Sequence, residues 1–372
     1  MQMRTFEKLN ATASLLGFGG MRFPVKDGKI NRELGQKMID LAYENGVNYF
    51  DTAIFYHGGE SETFLGEALS KFPRESIFIA DKMPPWELHA KEDVEKMFEG
   101  QLKKLKTDYI DFYLIHGIGR SSIPKIKEYE IISFLEKKRA EGKIKHLGFS
   151  LHDTPEALAE LLTMHDWDFV QLQINYVDWD VSRAKLLYEL LVQKDIPCIV
   201  MEPVRGGVLN NFEGEIKDVF LKANPTASLA SWAIRWVASL PNVKVILSGM
   251  STLEQVEENV KTLSEFKPLT KEEYAVIDQA LTIINQAPTV PCTACNYCMP
   301  CPVGVHIPDN FGYYNEYIKY KDLGILKWRV DAQLKKEERA TACISCGQCL
   351  EKCPQHIEIS EHLAKMRKLL IT

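Results

Sequence analysis

The chain has 372 residues, of which 45% are hydrophobic, 10% aromatic and 26% charged, with a net charge of −6; this excludes general disorder and a repetitive fibre, and argues against a sequence-blind binder of nucleic acid. At about 100–200 residues per domain it holds two or three domains, or one large α/β barrel with an appendage. No apolar run reaches the roughly 18–20 residues of a membrane span, and the polar start Met1-Gln2-Met3-Arg4-Thr5 lacks the apolar core of a signal peptide, so a cytoplasmic protein without a membrane partner is expected.

From Ser14 to about Asn285, short apolar runs alternate with segments of helical period. The predicted strands are Leu15–Phe18, Asn48–Thr52, Ile77–Asp81, Ile110–His116, His146–Ser150, Phe169–Ile174, Cys198–Met201 and Val243–Leu247. The predicted helices are Arg32–Glu44, Glu60–Ser70, Lys91–Lys104, Tyr129–Ala140, Pro155–Leu162, Ser182–Gln193, Ala227–Ala238 and Thr252–Leu263. Eight strands, each followed by a helix, match a closed (β/α)8 TIM barrel, typically ~250 residues. An open doubly wound sheet is the alternative, but no strand leads into the G-x-G-x-x-G turn such a sheet uses for dinucleotide phosphates. A further helix, Lys271–Ile284, precedes Ala287-Pro288-Thr289-Val290-Pro291, which breaks the helical pattern. The expected partition is therefore a barrel over 1–285 and a small second domain over 286–372.

Eight of the nine cysteines lie after residue 290, and clustered thiols in a reducing compartment usually ligate metal. Cys292, Cys295 and Cys298 are followed by Cys301-Pro302, while Cys343, Cys346, Cys349 and Cys353-Pro354 reproduce the C-x2-C-x2-C-x3-C-P run of bacterial ferredoxins. In that pattern the fourth cysteine crosses to the other cluster. The expectation is a small, mainly helical, ferredoxin-like domain with two 4Fe–4S clusters, one on Cys292, Cys295, Cys298 and Cys353, the other on Cys343, Cys346, Cys349 and Cys301. Four cysteines in C-x2-C pairs also suit tetrahedral zinc. The x2 spacing before Cys301 and the 41 residues between Cys301 and Cys343 loosen the ligand pairing, and the insert Pro308–Arg339 reads as added helices. Cys198, in an apolar strand, reads as an inert buried thiol.

Asp51 lies at the end of the second strand, Tyr56 follows in the next loop, Lys82 comes directly after Asp81 at the end of the third strand, and His116 ends the fourth. The carboxyl ends of barrel strands open on one face, so these four should converge. Together they can reduce a carbonyl. Lys82 would lower the pKa of the Tyr56 phenol, Asp51 would be the counter-ion that keeps Lys82 charged, His116 would orient the substrate oxygen, and Tyr56 would give the proton.

Through FDTAIFYHGGESE from Phe50, FIADKM from Phe78, YLIH from Tyr113 and GFS from Gly148, residues 1 to about 281 resemble the aldo/keto reductase family. VMEPVRGG from Val200 and CTACNYCMPCP from Cys292 are similar to its branch with a C-terminal 4Fe–4S domain. The resemblance implies a TIM barrel binding extended NAD(P)H and a catalytic tetrad on Asp51, Tyr56, Lys82 and His116. It places cofactor contacts on Met21, Asp51, Ser150, Gln171, Met201, Pro203, Gly249, Ser251, Gln255, Glu258 and Asn259. Ser150 and Gln171 fall on the carboxamide-binding positions, Met201 on that of the stacking aromatic, and Glu258 and Asn259 on the adenine contacts. Leu151 stands where an Asn usually follows the Ser. The basic residues that grip the 2′-phosphate fall on Gly249 and Gln255, which leans the expectation toward NADH, with Arg205 as an unorthodox phosphate partner. Trp86 is weighed as a substrate wall against a packing role.

Nicotinamide passes two electrons as one hydride and a cluster passes one, so direct exchange between them is unfavourable without a flavin or a radical-tolerant substrate. Three readings follow. The chain reduces small carbonyl compounds while the clusters brace the tail or sense redox state; or it exchanges electrons with a ferredoxin or other redox protein; or it is a cofactor-sensing binding or electron-transfer module with little reductase activity.

Overall fold

A computed structural model describes residues 1–371. Eight parallel strands close a barrel in chain order: β1 (Leu16–Gly19), β2 (Tyr49–Asp51), β3 (Phe78–Met83), β4 (Ile110–Ile118), β5 (Ile144–Leu151), β6 (Phe169–Gln173), β7 (Cys198–Met201) and β8 (Val243–Gly249). Parallel strands covered on both faces read as continuous apolar runs, which is why β4 is buried along nearly all its length. The helices between them are α1 (Arg32–Glu44), α2 (Glu60–Leu69), α3 (Glu92–Leu105), α4 (Ile131–Ala140), α5 (Pro155–Leu161), α6 (Ala184–Gln193), α7 (Leu229–Ala238) and α8 (Leu253–Ser264). Side chains cap several of them: Asn31 accepts from the Leu34 amide, Thr154 from Ala157 and Thr252 from Gln255. Observed ends lie within two residues of the predicted ones.

An antiparallel hairpin, Met3–Phe6 with Ala11–Ser14, precedes β1 and lies outside the predicted elements. It seals the amino-terminal end of the barrel. Phe6 is fully buried and packs with Tyr49, Phe112, Phe169, Ile199 and Val245, which lie near the starts of their strands. The rings of Phe6 and Phe112 are 5.3 Å apart.

Packing divides the chain elsewhere than at the proline run after residue 285. One unit is Met1–Arg205 with Ala230–Leu269; the other is Gly206–Leu229 with the chain from Thr270 onward. The helix α9 (Lys271–Gln286) packs on the helix Glu215–Ala223 within this second unit. Prolines mark where the backbone stiffens, whereas the packed unit is set by which apolar faces meet. The second unit adds α10 (Ile307–Tyr320), α11 (Leu323–Gln333) and α12 (Ile359–Ile371). The first two are the helices expected in the insert, and a core of Val305, Phe311, Leu326, Val330, Leu363 and Met366 holds the unit together.

Close helix packing around the barrel depends on Gly66. A Cβ there would lie 2.4 Å from the Lys104 carbonyl oxygen and 2.6 Å from the Leu105 Cα, and backbone cannot rotate aside. Gly66→Ala is expected to destabilise the protein by about 1–3 kcal/mol, read as a lower urea midpoint; an unchanged midpoint would show that α2 and α3 can part without penalty.

Candidate active site

The register of β2 and β3 pairs Asp51 with Ala80, so Lys82, two residues further on, points into the mouth on the same side. Its Nζ donates to Asp51 Oδ1 at 2.6 Å and to the Thr52 carbonyl at 2.7 Å. Lys82 is fully buried and Asp51 nearly so. The Lys82 backbone is locked in turn: its carbonyl accepts from Gln101 Nε2 at 2.8 Å, and Gln101 Oε1 accepts from the Tyr113 hydroxyl. After β2 the chain makes a tight turn through His57, Gly58 and Gly59, all at positive φ, and enters α2. For Gly58 and Gly59 this is the conformation glycine tolerates best. The turn places the Tyr56 ring centroid 5.1 Å from Lys82 Nζ. His116 joins them from β4, its ring edge-on to Tyr56 at 6.3 Å. The structure thus brings Asp51, Tyr56, Lys82 and His116 together.

Burial alone would strip Lys82 of its proton, but the charges of Asp51 and Tyr56 and the hydrogen bond to Asp51 outweigh it, and its pKa lies above the ordinary lysine value. Burial likewise raises the Asp51 carboxyl, against the pull of Lys82. The acidified phenol expected at Tyr56 is corrected. Burial of its hydroxyl raises the pKa more than the charge and hydrogen bond of Lys82 lower it, and Asp51 adds to the rise, so the net shift is upward. Tyr56 is therefore a neutral phenol at neutral pH. His116 is lowered to about 2 by burial first and the Lys82 charge second; it is a neutral imidazole, and its Nδ1 is buried without a hydrogen-bond partner.

An aromatic rim surrounds this centre. Phe55 stacks on His116 at 5.1 Å, Trp86 tilts against it at 5.4 Å, and Phe55 and Trp86 lie 6.1 Å apart. Both are substantially exposed, as is Met21. Trp86 also roofs Gly117, where a Cβ would sit 3.1 Å from the indole. It lines the mouth and packs at the same time.

Beneath the tetrad lies a layer that the sequence did not reveal. Glu62 and Asp81 are fully buried, each with one carboxylate oxygen unpartnered. Glu62 accepts from Lys104 Nζ at 2.6 Å and Asp81 from the Lys82 amide at 2.8 Å. Burial and the facing Glu62 push the Asp81 carboxyl well up, toward its protonated form. A carboxylate in the apolar stripe of α2 was the available signal.

The positions implied for the cofactor lie on the carboxyl ends and following loops of several strands. Gln171 pairs with Ser150 across β6 and β5. Ser150 Oγ accepts from the Gly117 amide at 2.7 Å, leaving its hydroxyl hydrogen to donate. Gln171 Nε2 donates to Met201 Sδ at 3.3 Å, while its Oε1 is buried and unpartnered. A free buried amide oxygen beside a free hydroxyl hydrogen fits a carboxamide, so the residues suit a nicotinamide. Pro203 is buried next to Met201. Asn259 Nδ2 donates to Ser248 Oγ at 3.0 Å, and the half-buried Glu258 precedes it on α8. Ser251 N donates to Gln255 Oε1 at 2.7 Å. Arg205, considered as a phosphate partner, is ion-paired to the buried Asp178 at 3.1 Å and so is engaged within the protein.

The second unit gathers its thiols around two cavities. One, of about 320 Å3 with its open mouth, is lined by Cys292, Cys295, Cys298 and Cys353; the other, of about 390 Å3, by Cys301, Cys343, Cys346 and Cys349, with Cys298 on its wall as well. The two triplets share a backbone device. Ala294 and Asn296 flank Cys295 at positive φ, and Ser345 and Gly347 flank Cys346 in the same way. Such reversals turn successive amides inward, as in nests that hold anionic iron–sulfur groups, and the Ser345 amide already donates to Cys343 Sγ at 3.4 Å. Thiols spread around a cavity rather than drawn to one point suit a polynuclear group better than one tetrahedral ion bound at ~2.3 Å from each sulfur. Among the described residues, no three His, Cys, Asp or Glu side chains are arranged to hold a single ion. Cys198 is buried in β7, and burial drives its thiol pKa well up.

Residues 15–282 match the model of the aldo/keto reductase family, and residues 291–358 that of a 4Fe–4S dicluster domain. An Escherichia coli methylglyoxal reductase is 30% identical over 244 residues, covering 64% of this chain and 81% of its own length. An Arabidopsis thaliana L-galactose dehydrogenase is 26% identical over 290 residues, covering 72% and 90%. Among solved structures, the holo form of an aldo-keto reductase from Bacillus halodurans is 26% identical with a TM-score of 0.63, covering 75% of this chain and 96% of its own. A Klebsiella pneumoniae aldo-keto reductase in complex with NADPH is 25% identical with a TM-score of 0.60, covering 75% and 95%. No helix among the described residues is long and apolar enough to cross a membrane.

The depressed pKa of His116 carries a stability consequence. The unfolded chain takes up a proton on this residue as pH falls through 6.5, whereas the folded chain does so only near 2. Stability should therefore fall as pH drops below about 6.5, by at most about 1.4 kcal/mol per pH unit for this one proton. His146 and His152, also lowered by burial, act in the same direction. Denaturant midpoints at pH 5, 6 and 7 should show a shallower slope in His116→Gln than in the parent; equal slopes would mean that His116 titrates normally.

Proposed function

Since the chain belongs to the aldo/keto reductase family, we propose that it reduces aldehydes or ketones with NAD(P)H, with Tyr56 as the proton donor, and that its tail carries two 4Fe–4S clusters that exchange electrons with a ferredoxin or another redox protein. The observation that carries the catalytic reading is the buried Lys82–Asp51 pair at 2.6 Å with the Tyr56 ring above it. When bound, NAD(P)H supplies a hydride and the clusters accept or supply single electrons.

The protein's own residues do the rest. The neutral Tyr56 hydroxyl is a donor as it stands, and gives its proton to the carbonyl oxygen as negative charge develops there. The phenolate left behind is stabilised by the Lys82 ammonium, which Asp51 keeps charged. In the resting site the phenol is held above its ordinary pKa, so the proton is released only when a stronger base forms beside it. The neutral imidazole of His116 offers an N–H to the same oxygen and adds no second positive charge beside Lys82. Phe55 and Trp86 narrow the approach so that a small carbonyl compound is held between rings, and the Gln171 oxygen with the Ser150 hydroxyl would grip the nicotinamide carboxamide. The relatives named for methylglyoxal reduction and L-galactose oxidation support a small polar substrate.

For the tail, the two cysteine-lined cavities support the crossed ligand sets: Cys292, Cys295, Cys298 and Cys353 for one cluster, Cys343, Cys346, Cys349 and Cys301 for the other. The charges of the thiolates are met by inward-turned amides, with Lys352 on the wall of the second cavity.

Tyr56→Phe should lower carbonyl turnover by about 100-fold or more while nicotinamide binding, followed by fluorescence titration, stays near the parent value; full activity in this variant would remove the proposed donor. Anaerobically purified protein should contain about eight iron and eight sulfide per chain, as two cubanes require. Half that content would leave one cluster, and zinc in place of iron would end the electron-transfer reading.

A further inference from the structure

The loop leaving β1 is pinned on both sides of Arg22. Gly20 donates its amide to the Asp51 carbonyl at 2.7 Å, and Phe23 is buried against Phe18 and Phe64, with ring centroids 5.5 and 4.8 Å away. Arg22 between them runs across the end of β8. A Cβ built on Gly249 would lie 2.6 Å from Arg22 Cγ and 3.0 Å from its Cβ. Gly249 does not have a positive φ, so its backbone needs no glycine. What the missing side chain provides is room for the stem of Arg22. The next loop holds the arginine from the other side, because Ser251 Oγ donates to the Arg22 carbonyl at 2.7 Å.

The stem is placed, yet the head is unspent. Arg22 is exposed, and its guanidinium has neither ion pair nor hydrogen bond among the described residues, whereas Arg74 and Arg205 are paired with Asp111 and Asp178. In barrels of this kind, phosphate groups are frequently held by the loops after the seventh and eighth strands. A guanidinium presents a planar fork that matches a phosphate monoester in two hydrogen bonds.

We propose that Arg22 is the residue that recognises the 2′-phosphate of NADPH, a specificity determinant supplied from the first βα loop in place of the bases missing at Gly249 and Gln255. This rests on the reading that the dinucleotide lies across the barrel mouth, with its carboxamide at Ser150 and Gln171 and its adenosine toward Glu258 and Asn259. Gly249, Ser251 and Arg22 then form one unit: the glycine makes space, the serine fixes the backbone, and the arginine meets the anion. The lean toward NADH drawn from Gly249 and Gln255 alone is thereby reversed, because the positive charge is present but comes from a different strand.

The test is a fluorescence titration of the full chain with NADPH and with NADH, at fixed ionic strength, for the parent, Arg22→Ala, Arg22→Lys and Gly249→Ala. Arg22→Ala should weaken NADPH by about 10- to 100-fold, the range of a lost charged hydrogen-bonded contact, and change NADH by less than about twofold. Arg22→Lys should recover part of the NADPH affinity, and Gly249→Ala, by displacing the stem, should weaken NADPH selectively. Equal weakening of both dinucleotides would place Arg22 on the diphosphate instead and overturn the assignment, as would unchanged NADPH affinity in Arg22→Ala. A parent protein that binds neither dinucleotide would take down the reading beneath it.

Discussion

Everything at the barrel mouth depends on keeping one ammonium charged where no water reaches it. Lys82 is completely enclosed, and a lone charge in such a place gives up its proton or unfolds its surroundings. Asp51 and the Thr52 carbonyl prevent both, and they do so only because β2 and β3 pair with Asp51 opposite Ala80. A slip of one residue would turn either the acid or the base to the other face of the sheet. The closed barrel is what forbids that slip: β2 is paired on both edges, so its register cannot move without disturbing two neighbours. Fold and chemistry meet in that register.

The enclosure also sets the character of Tyr56. Near an ammonium in water a phenol becomes more acidic; here the loss of water acts the other way and wins. The result is a phenol that stays protonated at rest. His116 follows the same logic with the opposite charge type, since burial and Lys82 both hold it neutral. One cation is permitted in the pocket, and the other two polar groups are tuned around it. The second unit relies on backbone instead: positive-φ residues on either side of Cys295 and of Cys346 turn amides toward the cysteine triplets.

Much of this was legible in the sequence because it is written in contiguous residues. The eight strands stand out as apolar runs covered on both faces, and Asp51, Tyr56, Lys82 and His116 are each tied to a strand end. The cysteine triplets are spaced by local chain geometry. What escaped depends on tertiary neighbours. The hairpin Met3–Ser14 has strands of four residues and a mixed pattern too short to show a period. Its burial comes from Phe112 and Tyr49, far along the chain. The pairing of Glu62 with Lys104 joins two helices, and Glu62, one of three Glu on α2, reads as solvated. The direction of the Tyr56 shift needs the depth of the hydroxyl, which no spacing contains. Arg22 gives no signal in the sequence, because its contact with Gly249 exists only where the barrel closes β8 against β1.

The hairpin plugged with Phe6 has a meaning for the barrel's footing. A barrel of this kind is filled by its own side chains rather than hollow, and Phe6 extends that filling past the strand starts, against Tyr49, Phe112, Phe169, Ile199 and Val245. Without the hairpin the undersides of five strands would stand in water, at the end of the barrel opposite Lys82.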